Sequence, residues 1–181
     1  MWIQTATGKR FDLLEPTPEQ VHFDDIVSAL PFIPCFTGQQ AKGRHEFAYS
    51  VAQHCLLVSR LVTSEFALEG LLHDAWKIYV SDLTRPLNVL LNRISDGDWH
   101  RVRAGIQEAV AKRFSTAFPL PEPVERGDMI ARATELRDVM APAPEPWSLE
   151  LPPPDDEIIV PLHPTIVRKR FKERWLALDR F

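Results

Sequence analysis

The stretch SVAQHCLLVSRLVTSEFALEGLLHDAWKIYV, residues 50–80, decides how the chain is read. Ser50 is a natural N-cap, and Val51, Cys55, Val58 and Val62 then recur on one stripe at helical spacing, with His54 beside it. Thr63 or Ser64 caps a second helix over SEFALEGLLHDAWKIYV, whose Leu68, Leu71, Leu72, Ala75 and Tyr79 form a broad apolar face. That helix carries His73 and Asp74 side by side. Adjacent helical residues point about 100° apart, so the two side chains meet at one ion only if other helices bring further ligands.

Outward from this pair the pattern remains helical. Upstream, WIQTATGKRFDLL alternates loosely around Gly8 and predicts a hairpin within residues 1–15. A short helix follows, with Asp24 and Asp25 in its first turn and Pro31 at its end. TGQQAKGRHE is read as a mobile polar loop. Downstream, PLNVLLNRI and WHRVRAGIQEAVAKRF are predicted helices on either side of an SDGDWH turn. In VERGDMIARATELRDVM, Val124, Ile130, Ala131, Ala133, Leu136 and Met140 can pack, Asp128 lies near the inner boundary, and Gly127 weakens the helix. The proline-rich run 141–162 excludes regular helix and central strand, and is expected to be a strap or an excursion. The last segment, 163–181, predicts an amphipathic helix with Ile166, Phe171, Trp175 and Leu178 as core. The expectation is one all-α domain of six or seven helices with an N-terminal hairpin.

Composition narrows the function. With 45% hydrophobic and 25% charged residues in 181, the chain has the make-up of a globular domain. A net charge of -4 offers no broad basic surface, so duplex nucleic acid is not an expected partner. The RKRFKER run, 168–174, reads as a solvated helix face. No apolar run spans a bilayer and MWIQTATGKR has no signal-peptide core, so the expectation is a cytoplasmic protein without a membrane partner. Cys35 and Cys55 lack metal-site spacing and read as reduced, partly buried thiols.

The order of candidate ligands is informative: His54, the His73–Asp74 pair nineteen residues on, and an aspartate fifty-four residues beyond that. Imidazoles and carboxylates in this ratio suit a first-row divalent cation and leave positions open for water and a phosphate oxygen. Such an ion acidifies water and polarises a phosphoryl group, which points to hydrolysis of a phosphate ester or anhydride. For the last aspartate, Asp128 competes with Asp138; Asp128 is favoured because Glu135, seven residues on, continues the same face.

WIQTATG, YSVAQH, LLHDA, DLTRPL and an aspartate in a later helix together resemble the HD-domain metal-dependent phosphohydrolases, over nearly the whole chain. The likeness is closest to small bacterial and phage members related to the 5′-deoxynucleotidases. The resemblance implies a helical HD-domain bundle and one divalent ion (Mn, Co, Zn, Fe, Ni or Mg) on His54, His73, Asp74 and Asp128. It also implies a small-molecule deoxynucleotide substrate and a catalytic role for Asp82. A homodimer is compatible with the sequence and not required by it.

The departures fall around the same place. Lys77 stands where similar proteins carry a glutamate that orients or deprotonates water, a task an ammonium cannot perform at neutral pH. Trp76 replaces a small residue or histidine, Cys35 an arginine and Gln39 a frequent histidine. Three readings follow. In the first, Asp82 positions the water while Lys77 and Arg85, beside Trp76, contact the substrate phosphate. In the second, metal and nucleotide bind with little turnover, giving a regulatory or binding module. In the third, Lys77 snorkels outward and the site is a remnant. Arg85 can alternatively bridge to Asp82, and Glu135 is either a hydrogen-bond partner of a metal ligand or half of a buried salt bridge. Arg44 and His45 are candidates to reach a nucleotide from the loop.

Overall fold

The computed structural model describes residues 1–41, 43–147 and 149–178. Its centre is α2, Val51–Leu61, capped by Ser50, whose hydroxyl accepts the Gln53 N–H. Val51, Cys55 and Val58 are fully buried along it, as their spacing predicts. α3, Ala67–Leu72, crosses α2 closely at Gly70, where an added Cβ would lie 3.1 Å from the Ser59 backbone. Only glycine lets the two backbones approach this far.

The long second helix expected through residue 80 does not form. α3 stops at Leu72, His73 and Asp74 lie in a turn, and a short 3₁₀ segment spans Ala75–Ile78. The cause is local: His73 Nδ1 donates to the Gly70 carbonyl at 2.8 Å, taking the acceptor that the Asp74 N–H needs for the helix to continue. The break lets adjacent side chains converge.

The remaining helices enclose this pair. α1, Phe23–Ala29, precedes it; α4, Arg85–Ile94, packs on α5, Asp98–Phe114. α6, Glu122–Asp138, packs on α2 and α3. Gly127 is buried at that contact, where a Cβ would meet Val62 Cγ1 at 2.8 Å, so the glycine that weakens the helix on paper is a packing requirement. α7, Pro164–Leu178, fixes Ser59 of α2 through Arg174, at 3.0 Å to the hydroxyl and 2.9 Å to the carbonyl. Phe171 is buried as expected, but Val167 takes the core position assigned to Ile166, which is exposed. Lys169, Arg170 and Lys172 face solvent. The predicted end of this helix, 179–181, lies outside the described residues.

β1, Trp2–Gln4, and β2, Arg10–Asp12, form the antiparallel hairpin. It docks through Phe11, fully buried and stacked on Tyr79 with ring centroids 3.5 Å apart. Asp25 of α1 accepts the Thr7 N–H at 2.7 Å.

The loop after residue 36, expected to be mobile, makes hydrogen bonds at its described residues to the body of the protein. Gln40 and Tyr49 exchange side-chain to backbone hydrogen bonds at 2.8 Å, and the Ala41 N–H reaches the Val139 carbonyl at 3.0 Å. The strap is anchored at its distal half. The Asp155 N–H donates to Thr134 at 2.9 Å, Ile159 N–H to Asp138 at 2.8 Å, and Gln53 grips both the Val160 carbonyl and the Leu162 N–H. Among the described residues, no helix is long and apolar enough to cross a membrane.

Candidate metal centre

His54, on α2, and His73, in the turn after α3, bring their Nε2 atoms to 3.1 Å from each other. Each ring is held from behind: His54 Nδ1 by Glu135 Oε1 at 2.5 Å, and His73 Nδ1 by the Gly70 carbonyl at 2.8 Å. The proton on each ring therefore sits on Nδ1, leaving two Nε2 lone pairs facing one another. Two lone pairs at that distance repel unless a proton or a cation lies between them. Asp74 Oδ2 is 3.4 Å from His73 Nε2 and 3.6 Å from His54 Nε2, and the ligand atoms of these three buried residues all lie within 4.8 Å of one another. The group has the donor chemistry and spacing to hold a metal ion.

Asp128, on α6, reaches the same point, with Oδ1 3.2 Å from His54 Nε2 and Oδ2 on Arg132 at 3.0 Å. Asp138 goes elsewhere: it pairs with Arg137 at 2.7 Å and accepts from the strap. Of the two aspartates weighed from sequence, Asp128 is the one beside the histidines. Glu135 is nearly inaccessible and lies against His54 Nδ1, accepting its hydrogen bond and forming a buried ion pair with it when the imidazole is protonated.

Charge follows from this packing. Burial opposes protonation of His54, but Glu135 and Asp128 outweigh it and raise the imidazole to about 10. His73 is likewise opposed by burial, yet Asp74 lifts it to about 10. A second proton on each ring, at Nε2, faces a carboxylate: Asp128 Oδ1 lies 3.2 Å from His54 Nε2 and Asp74 Oδ2 3.4 Å from His73 Nε2. Burial alone would raise Asp74, but Lys77 and then His73 draw its carboxyl well below the ordinary range. Asp128 is lowered to about 2, against burial, chiefly by His54. The Cys35 thiol beside the site is pushed up by burial and by Glu135, and stays neutral. Both cysteines are free and buried.

Lys77 does not snorkel outward. Its Nζ sits 2.7 Å from Asp74 Oδ2 and 2.6 Å from Asp82 Oδ1, and these carboxylates, against the effect of burial, keep it charged. Asp82 is held on its other oxygen by the Phe36 N–H at 2.7 Å. That N–H is aimed by an unusual backbone: Phe36 and Thr37 both adopt left-handed conformations, φ 58° and 52°, ahead of Gly38. Non-glycine residues with positive φ concentrate where function constrains the chain. Asp82 thus pairs with Lys77, and the alternative bridge from Arg85 is absent.

The cluster opens into a cavity of about 610 Å³. One wall carries Trp76, Lys77, Asp82, Arg85, Asn88 and Arg103; another carries Leu136, Met140, Trp147, Leu149 and Leu151. Cys35 and Gln39, two of the departures noted above, also line it. Arg44 and His45 do not join it, since they hydrogen-bond the Met140 and Asp138 carbonyls at 3.1 and 3.0 Å. Arg103 and Arg132 escape notice in the sequence because helical arginines on a polar face give no signal. The strap residues had a signal, Trp147 and Leu149 among prolines, but not a location.

Fold and site together define a helical domain with a buried His–His–Asp group, of which His54 and Asp74 line a charged cavity. The chain is 32% identical over 180 residues to the uncharacterized protein YfdR of Escherichia coli strain K12, covering 98% of this chain and 96% of that one. It is 30% identical over 143 residues to an uncharacterized protein of Rhodobacter capsulatus, covering 75% of this chain and 69% of the relative. The chain belongs to the family of these proteins. No family model matches it.

Proposed function

We propose that the protein is an HD-domain metal-dependent phosphohydrolase that acts on a nucleotide, with a deoxynucleotide phosphate ester or anhydride as substrate. The observation that carries this reading is the facing pair of Nε2 atoms, 3.1 Å apart, with Asp74 and Asp128 beside them at the floor of the cavity. His54, His73, Asp74 and Asp128 would hold one divalent ion. When bound, the ion supplies Lewis acidity toward a phosphoryl oxygen and makes water acidic enough to attack near neutral pH.

The chain's own groups do the rest. Glu135 and the Gly70 carbonyl fix the imidazole tautomers, so that both rings present a lone pair. Asp82, with one lone pair on each oxygen engaged by Phe36 and Lys77, keeps a further one to orient water. Two of the three Lys77 hydrogens are committed to Asp74 and Asp82; the third faces the cavity and suits a phosphoryl oxygen. Arg85, exposed at the first turn of α4, offers a guanidinium to the substrate's phosphate chain farther along the cavity, and Trp76 lines the same cavity.

A second reading, a binding module with little turnover, is favoured by one feature: the ammonium of Lys77 holds Asp82 at 2.6 Å, which weakens that carboxylate as a proton acceptor. Metal analysis of protein purified without chelator, followed by phosphate or pyrophosphate release from a deoxynucleotide panel with Mn, Co, Zn or Mg, separates the two. Metal retained with no release on any substrate supports the module. For the enzyme, Lys77→Glu is expected to lower activity by adding a carboxylate between Asp74 and Asp82; a large rise would mark Lys77 as an impediment.

A further inference from the structure

Among the described residues, four cations line the cavity: Lys77, Arg85, Arg103 and Arg132. Two are neutralised in place, Lys77 by Asp74 and Asp82 and Arg132 by Asp128. Arg85 and Arg103 have no carboxylate partner among the described residues. Arg85 begins α4 and Arg103 lies one turn into α5, the helix on which α4 packs. The Nε of Arg103 is buried without a hydrogen-bond partner, and among the described residues its side chain hydrogen-bonds only to His100, at a long 3.4 Å. Trp76, whose 3₁₀ segment packs on α5, has its indole Nε1 buried and unpartnered as well. Buried donors without acceptors are uncommon, and each calls for a partner such as a water, an ion or a ligand.

The second wall differs in kind. Leu136, Met140, Trp147, Leu149 and Leu151 carry no charge, and Trp147 leaves half of its surface open. The floor with His54 and Asp74 is shared by both walls.

We propose that Arg85, Arg103 and the Trp76 N–H form a second anion subsite, separate from the position beside the histidines. The ligand it selects carries two or more phosphoryl groups and a flat apolar end: a nucleoside di- or triphosphate, its base against Trp147 and the strap, rather than a monophosphate. The choice of substrate class rests on the phosphohydrolase reading, but the subsite is a matter of binding and is testable without turnover.

The test is calorimetric titration of the full chain, after chelator treatment and at fixed ionic strength, with deoxyadenosine mono-, di- and triphosphate. The di- and triphosphate are expected to bind at least tenfold tighter than the monophosphate. Arg103→Ala should abolish that preference and leave monophosphate affinity within twofold, while Arg103→Lys restores part of it. Arg85→Ala, at an exposed position where folding is not at stake, should act in the same direction. Arg101→Ala, an exposed arginine of the same helix, controls for net charge and should change nothing. Equal affinity for all three nucleotides, no binding of any, or a uniform loss in Arg103→Ala would overturn the subsite. Absence of phosphate release with metal restored would count against the hydrolase reading alone, and release without a di- or triphosphate preference against the subsite alone.

Discussion

At the scale of single residues, the centre is governed by what stands behind each imidazole. Removing the Glu135 charge leaves His54 packed but less basic, so Glu135→Gln is expected to weaken metal binding about 10–100-fold, measured by competition with a chromophoric chelator. Proton linkage gives an independent check. Neighbouring carboxylates raise both His54 and His73 to about 10 in the metal-free fold against an ordinary 6.5, so their protonation contributes stability that is complete below pH 6.5. That contribution falls away as pH rises through about 10. Thermal melts in chelator should therefore show a midpoint that declines from neutral to alkaline pH, and metal affinity should strengthen over the same interval as those protons are lost. A flat alkaline profile would contradict imidazoles held protonated by their carboxylates. These residues were legible in the sequence because ligand types and their order survive without knowing the fold. The contacts of Lys77 were not: position 77 could be placed near His73 by spacing, but only the turn at 73–74 brings its ammonium between two carboxylates.

At the scale of elements, the site exists because α2 and α3 cross closely. Gly70 does two things there, admitting the Ser59 backbone and offering the carbonyl that orients His73. Gly70→Ala would force backbone against backbone, and a loss of about 1–3 kcal/mol, read from denaturant melts, is expected, net of a small gain in helix propensity. Metal affinity should fall with it, since His73 moves with α3. The amphipathic stripe of α2 could be read directly, because burial imposes period 3.6 on the sequence. In α6, however, only Val124 and Ala131 of the six residues expected to pack are buried, and Thr134, Glu135 and Asp138 take the buried face through hydrogen bonds and ion pairs that periodicity does not record. The end of α3 could not be read either. It depends on a histidine side chain competing for a backbone acceptor, which propensity does not record. Ile166 and Val167 show the same limit in α7: adjacent apolar residues leave the phase of the helix undetermined until its partner is known.

At the scale of the whole molecule, the candidate ligands come from α2, the turn after α3, and α6, so an ion bound there would tie together segments far apart in the chain. At a free metal concentration of 100 Kd the fold should gain about 2.7 kcal/mol, which corresponds to roughly 5–10 °C in Tm for a chain of this size. Scanning calorimetry before and after chelation reads it directly; no shift would mean that the four side chains do not act as one site. The helical class and the hairpin were evident from patterning. The strap was recognisable by its prolines, but its place over the cavity follows from tertiary hydrogen bonds to Thr134, Asp138 and Gln53, none of which leaves a local trace.

Gln53 is the residue immediately before His54, and it grips the strap with both ends of its amide, at 2.8 Å to Val160 and 3.0 Å to Leu162. One turn of helix is thus a shared fulcrum: a guest pressing on the strap and an ion seated on the imidazole pull on neighbouring links of the same chain. Occupancy of either should change the grip on the other by an equal factor, as thermodynamic reciprocity demands. Gln53→Ala should uncouple them, a result readable as nucleotide affinities that no longer differ between metal-loaded and metal-stripped protein.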